Sequence, residues 1–169
     1  MRLLKSRKYF GQVDRKLATS YFVTLIGMSL LSGCEKWWLD RQMEELCKKD
    51  GGVRVYETVK LLPEMFDQNG DPFPGWRGRD RSERLGNDYE YVFSVEDLVK
   101  GDPVEGEGRL RRYRNKVIRR SDGRLMAESI YYGRSGGDFI AFPHFTSKGC
   151  PIGQSDSDVI RQVFLKQGE

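Results

Sequence analysis

Residues 109–132 read RLRRYRNKVIRRSDGRLMAESIYY, and this stretch decides the fold of the chain. Its middle, Ser121-Asp122-Gly123, is a strong turn signal between two segments that suit extended structure. The pattern predicts one strand within Gly106 to Arg120 and a second within Arg124 to Tyr132. Joined by the short turn, the two strands are predicted to form an antiparallel hairpin.

The segments before the hairpin predict a helix followed by a strand. In Glu35 to Asp50 the apolar side chains recur at helical spacing, and Gly51-Gly52 supplies a stop. The residues on that face are Leu39, Met43, Leu46 and Cys47. Val53 to Leu61 then alternates between apolar and polar side chains, which indicates a half-buried strand.

A long irregular segment, Leu62 to Asp88, follows this strand and is rich in Pro and Gly. We expect it to be the most mobile part of the domain, held by few contacts. Its aromatic residues Phe73 and Trp76 either pin the loop to the core or form an exposed contact surface. The run from Asp67 begins like a calcium-binding loop, but the required Gly and Glu are missing, so a turn is favoured.

The remaining elements complete an α+β fold. Tyr89 to Val95 predicts a strand, and Ser94 to Lys100 a short helical turn. Phe139 to Phe142 predicts a short strand, and Ser155 begins a terminal helix. The apolar face of that helix is Val159, Ile160, Val163 and Phe164. An N-terminal helix, an antiparallel sheet with a long loop after its first strand and a C-terminal helix are typical of the α+β class.

The first 33 residues have the features of an export signal. A basic leader precedes the apolar run Tyr21 to Leu31, which has the length of a signal-peptide core. The sequence Leu31-Ser32-Gly33-Cys34 then resembles the lipobox of bacterial lipoproteins. This resemblance implies cleavage before Cys34, acylation of its sulfur with chains such as palmitate, and attachment to a membrane through that lipid. The predicted organisation is a signal peptide over 1–33 and a single envelope domain over 34–169, with an uncleaved anchor or a cytosolic helix as alternatives.

The overall basic charge belongs to the leader. The whole chain has a net charge of +4, but residues 1–33 contain six Lys or Arg and one Asp. The rest of the chain therefore carries nearly equal numbers of basic and acidic side chains. Global charge gives no reason to expect a nucleic-acid partner.

Two cysteines remain once Cys34 is assigned to lipid. Cys47 lies on the apolar face of the first helix, and Cys150 comes shortly before the last helix. Disulfides persist in oxidising compartments such as the periplasm, so we predict a Cys47–Cys150 bond. The alternative is a pair of reduced, buried thiols.

A row of cations in the third strand is the candidate anion-binding site. Alternation places Arg112, Arg114, Lys116 and Arg120 on one face, and Arg109, Arg111 and Arg119 on the other. The first row is suited to an anionic envelope polymer or an acidic protein, and we expect no nucleic acid there. The alternative is a solvated face whose cations pair with the many carboxylates of the chain.

Motifs for catalysis are absent from the sequence. His144 is the only histidine, and neither a nucleophile elbow nor a phosphate-binding glycine motif is present. No ligand spacing indicates a metal, so we predict no enzyme activity, cofactor or metal. The alternative from another class is a periplasmic, cell-wall-directed hydrolase that uses carboxylates or His144.

Several segments resemble small proteobacterial lipoproteins of unknown function. They are Glu45 to Val53 with Val55-Tyr56-Glu57, Ser121 to Gly123 with Tyr132 to Asp138, and Cys150-Pro151. The resemblance implies an envelope lipoprotein in which Cys47 and Cys150 belong to the shared framework, and it implies no activity. Glu35 after the lipid cysteine resembles the sorting pattern for the outer membrane, facing the periplasm.

Overall fold

The computed structural model describes residues 34–138, 144–153 and 155–168. The expected strand at 139–142 lies outside these ranges. Short 3₁₀ turns connect several of the elements. In chain order, the helices and strands are α1 (Cys34–Asp50), β1 (Gly52–Val55), β2 (Val59–Leu61), β3 (Tyr89–Val99), β4 (Arg109–Arg119), β5 (Leu125–Ser135), β6 (Ser147–Cys150), α2 (Asp156–Val163) and β7 (Phe164–Lys166).

The fold is α+β, as predicted, and the hairpin of β4 and β5 is its centre. All pairings in the five-stranded main sheet are antiparallel, in the order β1-β5-β4-β3 with β6 also on β5. Both β1 and β6 pair with β5, β1 at Ala127 to Ile130 and β6 at Tyr132 to Ser135. Each of the remaining strands of this sheet therefore pairs with β4 or β5.

The two helices pack on opposite faces of the sheet. Successive side chains of a strand point to opposite faces, and in β5 the buried residues Ala127 and Ile130 belong to different apolar clusters. Ile130 packs with the buried face of α1, whereas Ala127 packs with α2. The predicted apolar face of α1 is confirmed, since Leu39, Met43 and Cys47 are buried in this way.

The first predicted strand is in fact two strands. β1 pairs with β5, but β2 leaves the main sheet and pairs in parallel with β7 at the end of the chain. Between them, the N–H groups of Tyr56 and Glu57 both donate to the carbonyl oxygen of Met126, at 2.8 and 3.1 Å. Glu57 interrupts the apolar alternation at this junction, between Val55 and Val59, but the interruption does not reveal that the pairing partner changes.

The helical turn expected within Ser94 to Lys100 is wrong, because β3 continues to Val99. The acidic end of β3 lies opposite the basic part of β4, with Glu96 beside Arg112 and Asp97 beside Arg111. Cross-strand pairs of opposite charge stabilise a sheet. Tertiary pairing therefore overrides the local preference of this segment for a turn.

The terminal helix ends one residue earlier than its apolar pattern suggests. α2 ends at Val163, and Phe164 begins β7. The predicted cap is present, since the N–H of Ser155 donates to the carboxylate of Asp158. Phe164 remains a core residue even though it is extended, and only 1% of it is exposed.

The long loop is packed onto the core, so the premise that few contacts hold it is wrong. Phe73 and Trp76 are both buried, which confirms the pinning alternative over the exposed contact surface. The Phe73 ring meets the Phe164 ring edge to face, with 4.9 Å between centroids. The expected turn at Asp67 is present, and Asp71 beyond it is buried with ion pairs to Arg77 and Arg161 at 3.0 and 2.6 Å.

Within the described ranges, neither helix is long and apolar enough to cross a membrane.

Candidate functional site

One end of the domain surrounds the start of α1, directly after the lipobox-like sequence. The N–H of Gly108 donates to the Glu35 carboxylate at 3.1 Å, and the Lys36 ammonium pairs with Asp138 at 2.7 Å. Thr146 also donates to Asp138, from its backbone N–H at 2.7 Å. These contacts bring four chain segments together as one surface. We call it the α1-start surface, and it consists of residues 35–38, 103–108, 136–138 and 144–146.

The α1-start surface carries large apolar side chains that contact water. Trp37 is 63% exposed and Trp38 is 52% exposed, although both belong to a helix that buries its opposite face. Val104, in the turn beside Gly136, is 77% exposed, and Phe145 is also exposed. Tryptophan is enriched where proteins meet the membrane–water interface. This end therefore presents large apolar and aromatic side chains to solvent.

A polar cluster beneath this surface fixes its geometry. The Arg134 side chain is only 3% exposed and pairs with Asp40 of α1 at 2.8 Å. Arg134 also donates to the carbonyl oxygens of Gly136 and Thr146, at 3.0 and 2.9 Å. Because a buried guanidinium is costly unless its donors are satisfied, this set of bonds holds the chain after β5 against α1.

Asp138 is the most perturbed carboxylate of this cluster. Burial raises its pKa, but hydrogen bonds from Lys36 and Thr146 outweigh burial and lower the pKa to about 2. Asp138 is therefore ionised at every physiological pH, and it links α1 to the strand that follows residue 146.

The opposite end of α1 is held covalently. Cys47 and Cys150 form a disulfide, as predicted, with 6.0 Å between their Cα atoms. The bond joins the last turn of α1 to the end of β6, close to the start of α2. With three cysteines in the chain, Cys34 is the one that has no part in this bond.

The predicted cationic row is only partly present. Arg112, Arg114 and Lys116 lie on one face of β4, which is the face that also packs against α1. Arg112 pairs with Glu96 across the sheet. Within the described part of the chain, Arg114 and Lys116 form no ion pair, and the Arg114 Nε is buried without a hydrogen-bond acceptor.

Arg120 lies apart from that row because β4 ends at Arg119. The Arg120 Nε donates to the carbonyl oxygen of Tyr89 at 3.2 Å, and the side chain lies beside residues of the long loop. There it lines an open polar cleft of about 520 Å³ with Arg79, Glu83, Gly86 and Asn87. The structure therefore brings together three of the four candidate anion-binding residues.

The other row of cations is fully engaged within the chain. Arg109 donates to the carbonyl oxygen of Gly101 at 2.8 Å, and Arg111 pairs with Asp97 at 2.7 Å. Arg119 pairs with Glu57 at 2.6 Å and with Asp122 at 2.9 Å. These cations therefore stabilise the sheet and its turn.

The structure describes His144 and most of the carboxylates considered for hydrolysis. His144 is exposed. In six of the described carboxylates, hydrogen bonds and charges from neighbouring groups lower the pKa. They are Glu44, Glu57, Asp71, Asp97, Asp122 and Asp138. A general acid needs a raised pKa instead. Among the described residues, no group of His, Cys, Asp and Glu side chains is arranged to hold a metal ion.

The sheet face opposite α1 contains a cleft that no sequence pattern predicts. We call it the tyrosine cleft; it has a volume of about 210 Å³ and is formed mainly by Tyr113, Tyr131, Gly133, Ser135, Ser147 and Gly149. Gly133 and Gly149 are cross-strand partners of β5 and β6. The sequence signal for it is a tyrosine two residues before a glycine in β5. That signal does not predict a cleft, because the second glycine, Gly149, reaches Tyr131 through the pairing of β6 with β5.

Comparison with protein-family models, with curated proteins and with solved structures finds no match to this chain.

Proposed function

We propose that this chain is a lipid-anchored bacterial envelope protein, attached through Cys34, with a binding or structural role. The Cys47–Cys150 bond carries the proposal, because it uses the other two cysteines and suits an oxidising compartment. Cys34 is left at the junction where Leu31-Ser32-Gly33 precedes the first helix of the domain. A lipid on Cys34 would hold the α1-start surface against the bilayer.

The exposed tryptophans support this orientation. Trp37 and Trp38 follow the anchor by one turn of helix, and their rings are more than half exposed. A single acyl chain binds a membrane only marginally, and stable anchoring needs further chains or a second contact. Acyl chains on Cys34 together with interfacial tryptophans would satisfy that requirement, at the outer membrane and facing the periplasm.

The partner of the anchored domain is proposed to be an anionic envelope polymer or a protein. Arg112, Arg114 and Lys116 remain the candidate contact. Among the described residues, Lys116 forms no ion pair and is partly exposed, which supports its availability, whereas the Nε of Arg114 is buried. The equal balance of charges outside the leader favours such a local contact over a general attraction to polyanions.

Lipid attachment is tested by expressing the full chain in a bacterial host and analysing the membrane fraction by mass spectrometry. We expect the N-terminal peptide to begin at Cys34 and to carry a diacylglycerol group. Cys34→Ala should abolish incorporation of a labelled palmitate analogue. Cys47→Ala removes a different thiol and should leave labelling unchanged, so it is the matched control. An intact Met1 leader with an unmodified Cys34 in the membrane fraction would contradict the proposal.

A further inference from the structure

The tyrosine cleft has two aromatic rings that lie along the sheet instead of standing away from it. A Cβ atom added at Gly149 would overlap the hydroxyl of Tyr131, and one added at Gly133 would lie 3.2 Å from the Tyr113 ring. The two glycines therefore leave room for the rings to lie over the backbone. The planes of the two rings are tilted by 50° to each other, and both tyrosines remain partly exposed to solvent.

The rings continue an aromatic row that crosses three strands. Phe93 of β3 stacks with Tyr113 of β4, with 6.3 Å between ring centroids, and Tyr113 meets Tyr131 of β5 at 5.7 Å. Arg81 covers the Phe93 end of the row, with its guanidinium 3.9 Å from the ring centroid. The open part of the row is therefore its Tyr113–Tyr131 end, which is the end that lines the cleft.

Among the described residues that line the cleft, every charged side chain is paired. Arg134 and Lys148 contribute to its lining, but Arg134 is paired with Asp40 at 2.8 Å and Lys148 with Glu44 at 2.6 Å. Ser135 and Ser147, partners across β5 and β6, add hydroxyl groups at its rim. A complementary ligand is therefore uncharged, with one flat apolar face and hydroxyl groups at its edge.

We propose that the tyrosine cleft binds one ring of a neutral saccharide, with the C–H face of the sugar stacked on Tyr131 and its edge against the Tyr113 ring, which is tilted by 50° from that of Tyr131. Pockets for drug-sized ligands have volumes of about 300–1,000 Å³, and the cleft, at about 210 Å³, suits a single ring of a longer glycan. Nucleobases also stack on tyrosine, but a nucleotide brings phosphates that need free cations, and the cations here are already paired. The cleft therefore favours a sugar over a nucleotide.

This inference goes beyond the proposed function and does not depend on the lipid. The test uses the full chain carrying Cys34→Ala, purified in detergent, so that acylation plays no part. Chitotriose, cellotriose and maltotriose are titrated separately against the isotope-labelled protein and followed by NMR. We expect at least one of them to bind, with shift changes centred on Tyr113, Tyr131, Gly133 and Gly149.

Tyr131→Leu and Tyr113→Leu keep an apolar side chain but remove the ring. Each should weaken binding about fivefold or more, as expected for the loss of an aromatic stacking partner. Tyr56→Leu is the matched control, since Tyr56 is 56% exposed and bonds to Glu128, away from the cleft. Shift mapping on the unsubstituted protein needs no variant, so the test stands even if a Leu variant does not fold.

Three results would each overturn the inference. They are no binding of any of the three sugars, shift changes confined to another surface, and tighter binding of adenosine monophosphate than of every sugar. Failure of lipid labelling on Cys34 would affect only the proposed function, because this titration is done without the anchor.

Discussion

Replacing Cys47 with Ala removes the disulfide that joins the end of α1 to the end of β6. The bonded cysteines are 103 residues apart. In the chain-entropy account, closing a loop of that length restricts the unfolded chain by about 4.7 kcal/mol at 25 °C. Measured losses for native disulfides are typically about 2–5 kcal/mol. We therefore expect Cys47→Ala to lower the free energy of unfolding by about 3–5 kcal/mol, with Ala chosen because a Ser hydroxyl would be buried among apolar side chains.

The measurement is urea unfolding of the full chain, with and without a reductant. The bond is shared, so Cys150→Ala should destabilise by a similar amount, and the double variant should be little worse than either single one. Reductant should lower the midpoint of the unsubstituted protein toward that of the double variant and leave the double variant unchanged. The contrary result is an unsubstituted protein that does not respond to reductant and has two free thiols at these positions. In that case the disulfide is absent, and the inference of an oxidising compartment from it is wrong.

Two further predictions concern the α1-start surface and the long loop. Asp138 has a pKa of about 2 in the folded protein, against about 3.9 in an unfolded chain, so its contribution to stability is full above about pH 4 and is lost as the pH falls toward 2. Asp138→Asn should therefore be destabilising at pH 7, and its difference from the unsubstituted protein should shrink between pH 4 and pH 2. Glu45→Gln, at an exposed carboxylate paired with Arg41, is the control, and a constant difference at Asp138 across that range would contradict this reasoning. In the loop, Trp76→Ala removes a side chain that is 3% exposed and should cost about 3–5 kcal/mol. Trypsin should then cut at Arg77, Arg79, Arg81 or Arg84 much faster than in the unsubstituted protein, whereas Trp37→Ala, at an exposed position, should not change the rate. Equal rates for the Trp76 variant and the unsubstituted protein would mean that the loop is not held by this ring.

The sequence by itself determined the features that depend on local periodicity. Leu39, Met43 and Cys47 at helical spacing predicted the buried face of α1, and Ser121-Asp122-Gly123 predicted the central turn. The number of cysteines predicted the Cys47–Cys150 bond, because assigning Cys34 to lipid leaves two of the three cysteines to pair with each other. These signals are strong since each arises from neighbours along the chain or from a constraint on the whole composition.

The tertiary structure alone decided which strand pairs with which, and therefore where the sites lie. Val53 to Leu61 alternates on both sides of Glu57 like a single strand, yet β1 joins the main sheet and β2 pairs with β7, because pairing depends on residues far away in sequence. The acidic end of β3 stays extended since basic residues of β4 lie opposite. Arg120 separates from Arg112, Arg114 and Lys116 because the strand ends at Arg119, which alternation along the chain does not predict.

The tyrosine cleft shows the same limit most clearly. Tyr131 and Gly149 are unrelated in sequence, and they come together only when β6 pairs with β5. A tyrosine in a strand is ordinarily read as a core or edge residue, and a glycine as a weak point of the strand. Only their juxtaposition lays the ring over the backbone and leaves it accessible, so the physical basis of the cleft is a long-range contact that no local pattern contains.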